Sequence, residues 1–139
     1  MTERDQTRRP WKRGRRIVLG LIAILGLTLV WKLVKERFDL VLTLAARSDV
    51  HAIAHALEEY ADNHSGAYPS TLEPLVAPDA DGTSFLAGYN GHMPMDPWRR
   101  EYHYEAPSPP YPKPHVWSYG ADGKLGGTGE DADIDSEDL

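Results

Sequence analysis

Asp122, Asp131 and Asp133 bracket a glycine-rich stretch near the C-terminus, Asp122-Gly123-Lys124-Leu125-Gly126-Gly127-Thr128-Gly129-Glu130-Asp131-Ala132-Asp133-Ile134. Carboxylates on a tightly folding loop offer a hard cation such as Ca²⁺ what it requires, several oxygens converging on one point. The four glycines let the backbone fold around an ion at little steric cost. The spacing is not that of an EF-hand. With Asp122 at position 1, positions 3 and 5 fall on Lys124 and Gly126, which bring no side-chain oxygen. Without an ion, the same stretch reads as a solvated acidic tail.

Other residues of chemical interest are weaker candidates. His51 and His55 lie four apart on one helix face, as zinc ligands do. The residues between them are Ala-Ile-Ala, so the general-base glutamate of a metalloprotease motif is missing. Asp79-Ala80-Asp81-Gly82 places a second carboxylate pair on what reads as an ordinary Asp-Gly turn. Trp98, Tyr102, Tyr104, Trp117 and Tyr119 are expected to build a sheet core rather than a ligand face. No Ser/His/Asp arrangement, phosphate loop or acid/base carboxylate pair has a supporting context. The expectation is a protein that is not an enzyme, with no small-molecule substrate.

The elements that must position the loop follow from charge and periodicity. Residues 1–16 carry seven basic and two acidic side chains, whereas residues 38–139 carry 18 acidic and five basic ones. The acidic majority excludes nucleic acid as a partner. Between the two regions, Ile17–Trp31 is a run of 15 uncharged residues. It is about 22 Å long as a helix, against a bilayer core of about 30 Å. Snorkelling by Lys32 lets Leu33 and Val34 extend the span. Arginines before the span and few after it predict a cytoplasmic N-terminus and an exported domain. A cleaved signal peptide fits the same pattern, but no small-x-small site follows the apolar core. The chain has no cysteine, so disulfides and thiolate metal sites are excluded.

From Glu36 to Asn63 there is neither proline nor glycine, and Ala46, Val50, Ile53, Leu57 and Tyr60 recur at helical spacing. Asp49, Glu58, Glu59 and Asp62 are assigned to the opposite face. His64-Ser65-Gly66 reads as the stop. A short helical turn is expected around Ser70–Val76, capped by Ser70 or Thr71. Strands are expected at Glu101–Glu105 and His115–Tyr119, and 135–139 reads as a frayed end.

Several blocks occur together and in order: Ser48-Asp49, Ala56-Leu57-Glu58-Glu59-Tyr60, Asn63, Gly66-Ala67-Tyr68-Pro69, Asp96-Pro97-Trp98, and Ser118-Tyr119-Gly120-Ala121-Asp122-Gly123-Lys124 with Gly126-Gly127, Gly129 and Asp131-Ala132-Asp133-Ile134. Over residues 46–134 this resembles the major pseudopilins of type II secretion systems, the protein G family. The resemblance implies an α+β, pilin-like fold: a long N-terminal helix, transmembrane in its first part, on a small antiparallel sheet with a C-terminal calcium loop. It implies that Asp122, Asp131 and Asp133 give carboxylate oxygens to Ca²⁺ and Tyr119 its backbone carbonyl, with carbonyls around Leu125–Thr128 open as further ligands. It also implies other pseudopilin or secretion-system subunits as partners.

The expected organisation is a basic cytoplasmic tail (1–16), a transmembrane anchor (17–34), a pseudopilin-like periplasmic domain (35–134) and an acidic tail (135–139) in a bacterial inner membrane. The N-terminus departs from the family. The family's leader, cleavage point and Phe-Thr-Leu-Ile-Glu type start precede its apolar run. Here Gly26-Leu27-Thr28-Leu29-Val30-Trp31 echoes that start, with Trp31 in place of glutamate, but the apolar residues come before it. An uncleaved anchor is therefore expected. The alternative to a filament subunit is a permanently anchored binding module for an exported substrate or envelope partner. Arg99 is a second departure, since the family usually has glycine after Asp-Pro-Trp.

Overall fold

The computed structural model describes residues 9–78, 81–109 and 112–138, with side chains from Gly14 onward. It divides into two compact units, Met1–Phe38 and Asp39–Leu139. The first helix, α1 (Arg9–Asn63), contributes to both. In the first unit its apolar side chains are exposed from Ile17 to Val34. The helix is long and apolar enough to cross a membrane. Thr28 returns its hydroxyl to the Leu25 carbonyl at 2.9 Å, which satisfies that polar group within the apolar run.

In the second unit the predicted stripe is the buried one. Ala46, Val50, Ile53 and Leu57 are fully buried, with Ala56 and Ala61 beside them and Tyr60 packed against the core. The helix stops as expected at His64-Ser65-Gly66, where the Gly66 N–H returns to the Ala61 carbonyl at 2.8 Å. The next element, α2 (Glu73–Val76), lies within the predicted turn but starts differently. Leu72 is its N-cap, and no side chain caps it. Thr71 instead hydrogen-bonds the Glu73 carboxylate, which lowers the pKa of Glu73. Leu72, Leu75 and Val76 are driven into the core, so burial rather than capping fixes this turn.

Three short strands form an antiparallel sheet in the order β1-β2-β3: β1 His103–Glu105, β2 His115–Ser118 and β3 Ile134–Asp135. His103 faces Trp117 and Glu105 faces His115 across β1–β2, while Ser118 faces Ile134 across β2–β3. This is the α+β arrangement expected. β1 begins two residues later than predicted because Glu101 bridges back to Met95 instead. The expected frayed end is ordered through Asp138. Asp135 lies in β3 and Ser136–Asp138 form a 3₁₀ turn; Leu139 is outside the described residues. Buried Ile134 holds β3 in place. Ser136 Oγ accepts the Val116 N–H at 3.0 Å, and His115 Nε2 meets Asp135 Oδ2 at 2.6 Å.

Two sequence assignments need correction. Asp49 is not on the solvent face. It is half-buried, accepting the Tyr89 hydroxyl at 2.8 Å on Oδ1 and the Tyr102 hydroxyl at 3.0 Å on Oδ2. It sits beside the stripe, and the two tyrosines compensate its partial burial. The five aromatics also do not share one core. Tyr102 is buried and Trp98 and Tyr104 pack on the core. Trp117 stacks with His103 and His115 on the outer face, with centroids at 5.3 and 4.5 Å, and Tyr119 lies 4.5 Å from His103. The period-2 alternation of β2 puts Val116 and Ser118 inward and Trp117 outward.

Four tyrosine hydroxyls tie this unit together, and all resist ionisation. Tyr68 is pushed up to about 12 by burial and then by its bond to Glu58. Burial takes Tyr104 to about 12, and burial together with Asp49 raises Tyr89 and Tyr102 as well. Folded-state values above the ordinary 10.0 mean that these groups contribute stability fully below pH 10 and lose it as pH climbs toward 12. The urea midpoint of the detergent-purified protein should therefore fall steadily over that window. A flat midpoint would contradict the hydroxyl network.

Candidate functional site

Asp96 organises the ground beneath the C-terminal loop. Its side chain is buried, and four donors converge on it. Oδ1 accepts the backbone N–H groups of Trp98 (3.0 Å) and Arg100 (2.8 Å). Oδ2 accepts the Ser118 hydroxyl (2.8 Å) and the Arg100 Nε–H (3.4 Å). The Asp96 N–H donates to the Arg100 carbonyl at 2.7 Å, and its own carbonyl accepts from Arg99 at 2.9 Å. The carboxylate thus makes an Asx-type turn locally and fastens that turn to β2.

Arg100 carries the connection into the loop. Its Nη2 donates to the Gly120 carbonyl and its Nη1 to the Ala121 carbonyl at 3.3 Å. The guanidinium also lies 6.0 Å from the Trp98 ring centroid, at the edge of cation–π range. Across the loop, the Ala121 N–H donates to the Glu130 carbonyl at 2.8 Å. This bond closes the two arms into one turn-rich segment.

The predicted metal residues fall on this segment but are not gathered. Asp133 is half-buried. Its Oδ2 accepts the Gly126 N–H at 2.9 Å, while its Oδ1 is buried with no hydrogen-bond partner. Asp122 is exposed and its Oδ1 takes the Lys124 N–H at 3.0 Å. Asp131 is held by its main chain, its N–H donating to Thr128 at 3.3 Å. Tyr119 is half-buried at the end of β2. Among the described residues, no three His, Asp or Glu side chains are placed to hold a metal ion together. Two glycines are obligatory here. A Cβ on Gly120 would come 2.5 Å from the Ala132 carbonyl oxygen, and one on Gly127 would strike the Asp131 carbonyl; both have positive φ.

The weaker candidates stay apart from this loop. His51 and His55 are exposed on α1. Asp81 and Gly82 form the expected turn, and Asp79 lies outside the described residues. Sequence reading singled out Asp96-Pro97-Trp98 but missed Arg100. The guanidinium acts on residues 20 and 21 positions away, and neither charge nor periodicity announces such a pairing.

The geometry also shows what the departure at Arg99 costs. Its φ is +68°, a left-handed conformation that glycine adopts freely and a residue with a Cβ adopts only under strain. A glycine usual at this position is what that turn requires.

Comparison with known proteins matches the same elements. The family model described as type II secretion system protein G covers residues 35–137. The type II secretion system core protein G of Pseudomonas aeruginosa is 39% identical over 130 residues, covering 88% of this chain and 87% of that protein. That of Vibrio cholerae is 33% identical over 126 residues, covering 85% and 83%.

Two substitutions in the turn should move stability in opposite directions. Asp96→Ala strands the Ser118 and Arg100 donors and should cost about 3 kcal/mol. Arg99→Gly should gain about 1 kcal/mol by releasing left-handed strain. Urea unfolding followed by tryptophan fluorescence measures both. A neutral Asp96→Ala or a destabilised Arg99→Gly would refute the account of this turn.

Proposed function

Because this chain belongs to the protein G family of type II secretion systems, and so is a pseudopilin-type structural component of that machinery, we propose that it works as a membrane-anchored subunit whose exported globular unit is locked by Ca²⁺. The α1 segment from Ile17 to Val34 provides the anchor. The arginine-rich start sits in the cytoplasm and the acidic unit in the periplasm, the orientation that the distribution of basic residues favours. Its partners are other subunits of the secretion assembly. Its work is mechanical, that of a folded unit tethered to a membrane helix.

The unpartnered Asp133 Oδ1 carries the calcium assignment. A buried carboxylate oxygen without a donor costs about 1–3 kcal/mol or more, and a hard cation removes that cost. The donor set that this reading draws on is all oxygen. It comprises the carboxylates of Asp122, Asp131 and Asp133, the Tyr119 carbonyl, and carbonyls in the stretch Leu125–Thr128, an inventory suited to calcium rather than to zinc. When bound, the ion supplies a divalent charge against which carboxylates that otherwise repel become compatible. Asp133 is already half-buried and turned into the loop. Drawing in Asp122, now exposed, is the work left to the ion.

Full-length protein extracted from membranes should melt several degrees lower in EDTA than in millimolar Ca²⁺. Asp133→Ala should melt at the EDTA value in either buffer. Equal melting temperatures for the unaltered protein in both buffers would remove the calcium reading and leave the structural role standing.

A further inference from the structure

Arg100 occupies the first turn of the loop in a way that neither the family assignment nor the metal accounts for. Its guanidinium lies between a buried anion and the loop backbone. Asp96 Oδ2 fixes Nε, while Nη1 and Nη2 reach the Ala121 and Gly120 carbonyls. Gly123, with φ +68°, lies directly against it, since a Cβ there would come 2.5 Å from Nη1 and 3.0 Å from Cζ. Residues 120–123 therefore wrap around the planar fork of one side chain.

We propose that Arg100 is the positioning residue of the Tyr119–Asp133 loop, holding its first turn in binding geometry before any cation arrives. The part of the proposal that concerns Ca²⁺ rests on the reading above.

Two opposed effects decide whether such a residue helps. A guanidinium close to a cation site repels the incoming ion, which weakens binding. It also fixes two peptide units and offsets the loop's own negative charge, so less order must be created when the ion binds. The carbonyls that Arg100 engages are those of Gly120 and Ala121. Neither belongs to the proposed ligand set of Tyr119, Asp122, Asp131 and Asp133. The guanidinium thus claims the acceptors that the ion does not need. It is also 37% exposed on its side chain, so solvent screens its repulsion. Ordering outweighs repulsion on both counts. Lysine cannot stand in, because a single ammonium lacks the rigid fork that reaches an anion and two carbonyls at once.

The test uses Arg100→Lys and Arg100→Gln in the full-length protein, with two readouts. The first is hydrogen exchange at the Ala121 amide in EDTA, since that N–H closes the loop onto Glu130. Exchange should quicken about tenfold or more in both variants, while core amides such as Val116 keep their protection. The second is calorimetric titration with Ca²⁺ alone, where half-saturation should weaken by about tenfold, an effect that a merely structural role would not produce while the core stays protected. Unchanged Ala121 exchange in both variants overturns the proposal. So does tighter Ca²⁺ binding by Arg100→Gln, which would mean that repulsion dominates. If the unaltered protein takes up no Ca²⁺, the earlier reading falls. The exchange arm still decides whether Arg100 holds the turn.

Discussion

A buried negative charge at Asp96 sets the terms for the half of the molecule beyond α1. Removing a carboxylate from water costs several kcal/mol. Bonds to a charged group return about 1.5–3 kcal/mol each, so several donors are needed to offset the cost, and four converge here. The donors come from three places in the sequence: the Trp98 and Arg100 amides, the Arg100 side chain and Ser118. Satisfying one carboxylate therefore forces the 96–100 turn onto the end of β2. That places Arg100 against the loop and fixes where the loop begins. The core side chains Val116 and Ile134 pack alongside, so the polar hub and the apolar core enforce the same strand arrangement.

Features with a period or a motif were legible in the sequence. The stripe from Ala46 to Tyr60 and the apolar run before it follow directly from spacing and composition, and the stop at Gly66 from local chemistry. What escaped prediction depends on contacts between distant segments. Asp49 reads as a surface charge until Tyr89 and Tyr102, 40 and 53 residues away, are brought to it. β3 is two residues long and surrounded by acids; it forms only because Ile134 is buried and β2 is already there to pair with. The aromatics of the last two predicted strands share a composition, and only strand register separates Tyr102 inside from Trp117 outside.

The loop itself was legible as chemistry but not as geometry. Its aspartates and glycines announce a segment able to surround a hard cation. Their side chains adopt separate local roles in the structure: Asp122 turns back on Lys124, and Asp133 holds Gly126. Short-range hydrogen bonds from Asp side chains to nearby amides compete with any collective arrangement. A cation and a correctly placed guanidinium are two ways of tipping that competition, and one of them is built into the chain.

The central position of β2 has a corollary. Its second neighbour is supplied by Ile134 and Asp135, which follow β2 only after the whole glycine-rich loop. The helix whose stripe shares the core with the sheet lies far upstream of it in sequence. The hydrophobic interior therefore cannot be sealed until Ile134 is in place, and a chain that stops short of it keeps Val50, Ile53 and Leu57 incompletely covered.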